Sequence, residues 1–208
     1  DMNQLTLWKL SPLGDLLGTY TLSQSAPSLI SAVSVNASGV SIVGQLLEKP
    51  FVVSATSNGV FGKVISIGTS KTALGAIVRH SDGSVSVFGS SAETLGGKKL
   101  VGVRDGVLIK ISKTGAIASV VRSSAPKASR GWLAANPSLT LTGYVKTGKV
   151  MESAFTKFTT AFAPTWTLRV PSLGTSTVLS AGNTTYGAFS SNSAVPGVIG
   201  WRPTSASV

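Results

Sequence analysis

VLIKISKTG (Val107–Gly115), IASVVRSS (Ile117–Ser124), RGWLAANP (Arg130–Pro137) and LTLTGYV (Leu139–Val145) follow one another along the chain and share one design. Each is a short run of Val, Ile, Leu, Thr or aromatic residues that stops at Gly, Pro, Asn or a Ser pair. Runs of that length and composition are strands joined by tight turns. Earlier and later stretches repeat the design. A Lys-hydrophobic-Ser-x-x-Gly piece occurs in LWKLSPLG (Leu7–Gly14), VVSATSNG (Val52–Gly59) and IKISKTG (Ile109–Gly115), and degenerately in FTKFTTAF (Phe155–Phe162). A second piece recurs as AVSVNASGVSIVG (Ala32–Gly44), AIVRHSDGSVSVFG (Ala76–Gly89), GWLAANPSLTLTG (Gly131–Gly143) and VLSAGNTTYGAFS (Val178–Ser190).

The turn glycines Gly14, Gly59 and Gly115 are 45 and 56 residues apart, and the closing glycines Gly44, Gly89 and Gly143 are 45 and 54 apart. Two independent landmarks thus share a period, and four short strands in about 40 to 50 residues are the sequence sign of a propeller blade. The fold expected is an all-β β-propeller of four-stranded antiparallel blades. It has about four blade-equivalents in one domain over 1–208, complete or part of a larger ring, with repeats near 5–50, 51–106, 107–154 and 155–203. In strand register the blades run Leu29–Ile67, Ala73–Arg122, Arg130–Val170 and Thr177 onward. The small-residue strands SAVSV, GAIVRH, GWLAA and TVLSA take the inner position. The longer second interval reads as an insertion, Ser90–Gly106, which is expected to protrude as a loop because its Gly-Gly and Lys-Lys pairs suit an exposed tip.

The two ends do not balance. Leu5–Leu22 supplies third and fourth strands without a first and second, while the last repeat has its own third-strand candidate, Val198–Arg202. The hairpin's leucines, Leu5, Leu7, Leu10, Leu16, Leu17 and Leu22, need cover, because an apolar hairpin with a free edge associates. Residues 5–22 are therefore expected to pack on residues 177–203, or to associate with a second chain or an upstream segment. A sequence starting Asp-Met-Asn reads as processed or partial.

With 42% hydrophobic and 12% charged residues the chain folds, and it carries about half the charge of an average domain. Hydroxyl-rich, charge-poor surfaces suit an exported protein, extracellular or on the cell surface. Cysteine is absent, which excludes a disulfide scaffold and Cys-zinc sites, and no apolar run is long enough for a membrane helix. Eighteen basic against seven acidic residues give a net charge of +11. That excess favours polyanions such as nucleic acid or an anionic cell-envelope polymer. The densest basic stretch offers Lys98, Lys99, Arg104, Lys127 and Arg130 as a polyanion site.

LWKLSPLGDLL, GVLIKISKTGAIASV and AVSVNASGVSIVG resemble the β-propeller repeat of bacterial exported proteins known as SBBP. The resemblance covers about four repeats and implies an exported propeller without a defined activity. Asn36, His80, Asn136 and Gly182 stand near the place where that family usually has Asp.

Catalytic chemistry finds little support. His80-Ser81-Asp82 are consecutive on a turn and cannot form a triad, which needs three groups converging from separate places. Glu48, Glu93 and Glu152 fall between strands, and Asp15, Asp82 and Asp105 at turns, so no carboxylate pair for glycoside cleavage is evident. One histidine, no cysteine and no calcium loop leave no metal or cofactor site. Gly96–Lys99 is a poor phosphate loop. Trp8, Trp132, Trp166 and Trp201 fall on different strands of the repeat, as packing residues would, and Asn36-Ala-Ser and Asn183-Thr-Thr match glycosylation sequons at near-chance frequency. The expected function is a non-catalytic binding module for a surface protein or polysaccharide. Polyanion binding is the alternative, and a glycan-processing enzyme is a distant third.

Overall fold

The computed structural model describes residues 3–191 and 200–201, and among these residues the chain is all-β with no helix. The first hairpin pairs β1 (Asn3–Leu10) with β2 (Leu16–Gln24). The first full sheet is β3 (Ser28–Asn36), β4 (Gly39–Leu46), β5 (Lys49–Thr56) and β6 (Ile65–Ser66). The second holds β7 (Thr72–Arg79), β8 (Val85–Ser91), β9 (Asp105–Ile111) and β10 (Ile117–Ser123), and the third β11 (Ala128–Ala135), β12 (Thr140–Thr147), β13 (Val150–Phe158) and β14 (Pro164–Pro171). A last sheet has β15 (Ser176–Ala181), β16 (Thr184–Phe189) and β17 (Gly200–Trp201). Within every sheet the spatial order is the chain order, and all pairings are antiparallel. These sheets have the strand grouping expected from the repeats.

The sheets stack in file. β3 lies against β7, β7 against β11, and β11 against β15. One core, with Val43, Val52, Ile77 and Val87, joins the first sheet to the second; another, with Val78, Phe88, Trp132 and Leu141, joins the second to the third. Polar stitches add register. Asn36 Nδ2 donates to the carbonyl of His80 at 2.8 Å, and Arg79 Nη1 donates to the buried Ser41 Oγ at 2.9 Å. Asn136 Nδ2 reaches Ser180 Oγ across the next interface. Asn36 is thus committed to holding two sheets together.

The closing glycines have a physical cause. Gly44, Gly89 and Gly143 each face the residue where the first strand bulges, at Ile30, Leu74 and Trp132. A bulge drives a carbonyl toward the partner strand, and a Cβ on Gly89 would lie 2.0 Å from the Ala73 carbonyl oxygen and 2.8 Å from Leu74 Cα. Both obstacles are backbone, which cannot rotate away. In the last sheet β15 and β16 pair without a bulge, and Phe189 pairs with Ser176. Gly89→Ala is therefore expected to destabilise the protein by about 1–3 kcal/mol, the usual cost of overpacking, read as a drop in the urea midpoint. An unchanged midpoint would refute this account of the repeat.

Four expectations need correction. Ser90–Gly106 is not a free loop: Ser90 and Ser91 end β8, Asp105 and Gly106 begin β9, and Leu95 is buried in the core between them. Glu93 accepts hydrogen bonds from Thr72 Oγ1 at 2.6 Å and the Thr69 amide at 2.7 Å, so the segment is tied down at its start while the tip from Gly96 to Lys99, with Thr94, Val101 and Val103, stays exposed. An apolar anchor and a fixed carboxylate outweigh the loop-like composition. Glu152 and Asp105 are strand residues, because the strands extend beyond the turn signals around them. Among the described residues, 5–22 pack on the first sheet rather than the last: Leu5 joins Ile42, Phe51 and Val53, where an apolar face is already waiting. Trp8 is 65% exposed and is no packing residue. The third-strand candidate Val198–Arg202 is described only as β17; its other residues lie outside the described ones.

Candidate functional site

The third sheet breaks the glycine pattern twice. Where the other units place Gly39 and Gly83, it has Leu139 at φ +61°; where they place Gly59 and Gly115, it has Phe162 at φ +62°. Leu and Phe adopt this left-handed conformation at a cost. Both are buried in the core between the second and third sheets, and the Phe162 ring meets Phe88 edge-on at 5.8 Å. The strain is offset by filling this one interface.

Beside that core, where β10 diverges from the third sheet, lies a cleft of about 340 Å³. Its apolar wall includes Leu108, Val121, Trp132, Phe158 and Phe162, and its polar wall Arg122, Ser123, Arg130, Tyr144, Thr156, Thr167 and Arg169. An apolar cavity with a few convergent polar groups is the usual form of a small-ligand site. Three of its polar groups are arginines from three strands.

Their states differ. Arg122 Nη1 donates to Asp105 Oδ2 at 3.2 Å, both side chains being buried, and Asp105 also accepts the amides of Val101 and Gly102. Arg169 pairs with Glu152. Arg130 has no carboxylate partner among the described residues: Nη1 donates weakly to Ser123 Oγ at 3.3 Å and the buried Nε donates to nothing. Burial, and then the neighbouring Arg169, push its pKa below the ordinary arginine value, with Asp105 opposing them only in part. The Trp132 indole N–H is also buried without a partner, close to the space left by the missing side chain of Gly106. An unmet buried donor costs about 1–3 kcal/mol, and such groups are uncommon unless they have a task. The cleft lining thus holds three arginines against the two carboxylates that pair Arg122 and Arg169, an excess of positive charge of the kind that favours a carboxylate, sulfate or phosphate.

The five residues expected to form a polyanion site come from two segments that run side by side, since Arg104 bridges Ser129 and the Arg130 amide donates to the Arg104 carbonyl at 2.8 Å. Their side chains then part. Lys98, Lys99 and Lys127 are exposed, Arg104 turns to Ser90 Oγ, and Arg130 lines the cleft. Arg122, Trp132 and Arg169 complete the site and were not among those five. The replaced turn glycines Leu139 and Phe162 are the sequence signal that could have pointed to this interface. His80 binds Ser86 Oγ at 2.7 Å and Asp82 caps its own turn through Ser84, so these two neighbours serve separate local bonds. No cluster of three metal-ligating side chains occurs among the described residues.

Fold and site together define an all-β protein of stacked four-stranded sheets with a cationic, apolar-walled cleft between two of them. No protein-family model matches the chain, and no curated protein matches it.

Proposed function

We propose that the chain is a non-catalytic binding module of the β-propeller class, exported to the cell surface or beyond, whose surface ligand places an acidic group in the cleft beside Arg130. The observation that carries this is the half-buried Arg130 guanidinium, which has no ion-pair partner among the described residues, in a cleft walled by Trp132. Stacking of the first strands in file supports the propeller reading, and the resemblance to SBBP repeats and the low charge content support export. An acidic polysaccharide suits both walls, since sugar rings have apolar faces for aromatic side chains and uronic carboxylates for a guanidinium.

Calorimetry with a uronic-acid oligosaccharide and its neutral counterpart tests this reading. Binding of the acidic ligand alone is expected, with Arg130→Gln weakening it by about 10- to 100-fold, the worth of a charge-assisted hydrogen bond. No binding of the acidic ligand, or equal binding of both, would sink it. Exposed Lys98, Lys99 and Lys127 favour the polyanion alternative. In that case the triple Gln variant at those lysines, rather than Arg130→Gln, would abolish binding, and affinity would fall steeply with salt as counterions are released.

A further inference from the structure

Every internal sheet-to-sheet interface joins the same two kinds of face. Two such faces remain unmatched. On the first sheet, the side of β3 turned away from the second sheet exposes Ile30, Val33 and Val35 by 49, 51 and 68%. Ser34 and Asn36, on the opposite side, bond the second sheet. On the last sheet, Ser176 and Ser180 bond the third sheet, so Leu179 faces away, with Tyr186 beside it on β16; they are 69 and 56% exposed.

The N-terminal hairpin covers only part of the first of these faces. Leu5 of β1 sits on Ile42, Phe51 and Val53 of β4 and β5, the place that third and fourth strands of a preceding sheet would occupy. β1 ends in the turn that closes the other third strands, with the Gly14 amide donating to the Ser11 carbonyl as Gly59 does to Thr56 and Gly115 to Ser112. Over most of β3 no other described residue lies as cover. Instead a groove of about 280 Å³ runs between Leu7 and Trp8 of β1 and the floor of Val33 and Val35. Among the described residues β1 pairs only with β2, so its other edge borders this groove with backbone groups that none of them pairs. An open edge above an apolar floor accepts an added strand.

The strands that would extend β1 and β2 to a full sheet are of the first and second kinds, and this chain carries such a pair in its last sheet. Among the described residues β15 and β16 are joined only by β17, which holds β16 through Thr185–Trp201 and Tyr186–Gly200. We propose that β15 and β16 of a second copy of this chain seat in the groove, displacing β17, pairing with β1 and covering Val33 and Val35. Two half-sheets then become one full sheet. The junction repeats the interfaces already present three times within the chain, which is why a second copy fits it better than an unrelated strand. It is head to tail, so each copy offers one donor and one acceptor end. Two copies close on each other if the sheets are propeller blades; that step alone rests on the propeller reading.

Sedimentation velocity with multi-angle light scattering at micromolar concentration tests the junction. The expected mass is twice the 21.2 kDa of the chain. Val33→Asp or Leu179→Asp should each weaken association at least tenfold while leaving the far-ultraviolet strand signal intact. Mixing the two variants should restore a dimer, because the unaltered last sheet of one meets the unaltered first sheet of the other. Larger assemblies with the same dependence would support the junction and remove the closed ring. A monomeric chain would overturn the proposal. So would an assembly indifferent to both substitutions, or variants that fail to complement, as an isologous interface would give.

Discussion

Replacing Asp105 with alanine is expected to lower stability by about 3–5 kcal/mol, the cost of breaking a buried ion pair from one side. In a chain of this size each kcal/mol shifts Tm by about 2–4 °C, so a calorimetric scan should show a loss on the order of 6–20 °C. Asp105 is fully buried and serves three donors at once, the Arg122 guanidinium and the Val101 and Gly102 amides, and through the amides it orders the run into β9. Without it, Arg122, only 6% exposed, keeps a charge with no counter-charge. Its other contacts are carbonyls, of Glu93 and Lys98, which do not neutralise it. Asp105→Asn should fall between, keeping an acceptor for the amides but no charge. The control is the double variant Asp105→Asn with Arg122→Met. It should recover much of what the single alanine loses, because removing both charges is far cheaper than stranding one. A fall in Tm of only a degree or two for Asp105→Ala would show that water already solvates this pair.

Phe88→Ala is expected to cost about 3–5 kcal/mol, the range for truncating a fully buried aromatic. Phe88 has no exposed surface and sits at the centre of the second-to-third sheet core, edge-on to Phe162. β-strands pinned by ladders on both sides cannot collapse into the void, so the cavity term is kept in full. Urea unfolding should register it as a lower midpoint with an unchanged slope. Phe162→Gly should cost less, although it removes the same kind of ring. The glycine relieves the positive φ that Phe162 bears, which recovers about 1 kcal/mol or more of strain. If Phe162→Gly proved the more damaging of the two, backbone strain at that turn would have no part in the balance.

The cleft and this core share residues, and that links stability to binding. Trp132 packs edge-on to Phe158 at 5.3 Å while its indole N–H goes unused. A ligand held by Arg130 against this core would stabilise the interface by mass action as well as occupy the cleft.

Much of the architecture was legible because it is local. Strand length, turn residues and the spacing of Gly44, Gly89 and Gly143 follow from what a bulged hairpin demands of its own few residues, and the strand grouping within each sheet needed nothing more. The imbalance of the ends was also readable, since counting strand types requires no contacts. The tertiary structure decided the rest. Whether Lys98, Arg104 and Arg130 act together depends on where side chains point after two distant segments are bridged, and Arg130 turned inward while Lys98 stayed in water. Arg122 looked like one more basic residue until packing brought Asp105 beneath it. Ser90–Gly106 has the composition of a free loop, but Leu95 enters the core and Glu93 binds Thr69 and Thr72 before the first strand of its own sheet and at its start, which ties it down. Charge, burial and the absence of a counter-ion are properties of neighbours in space, and a periodic sequence specifies the frame of those neighbourhoods without specifying which of its sites is left unsatisfied.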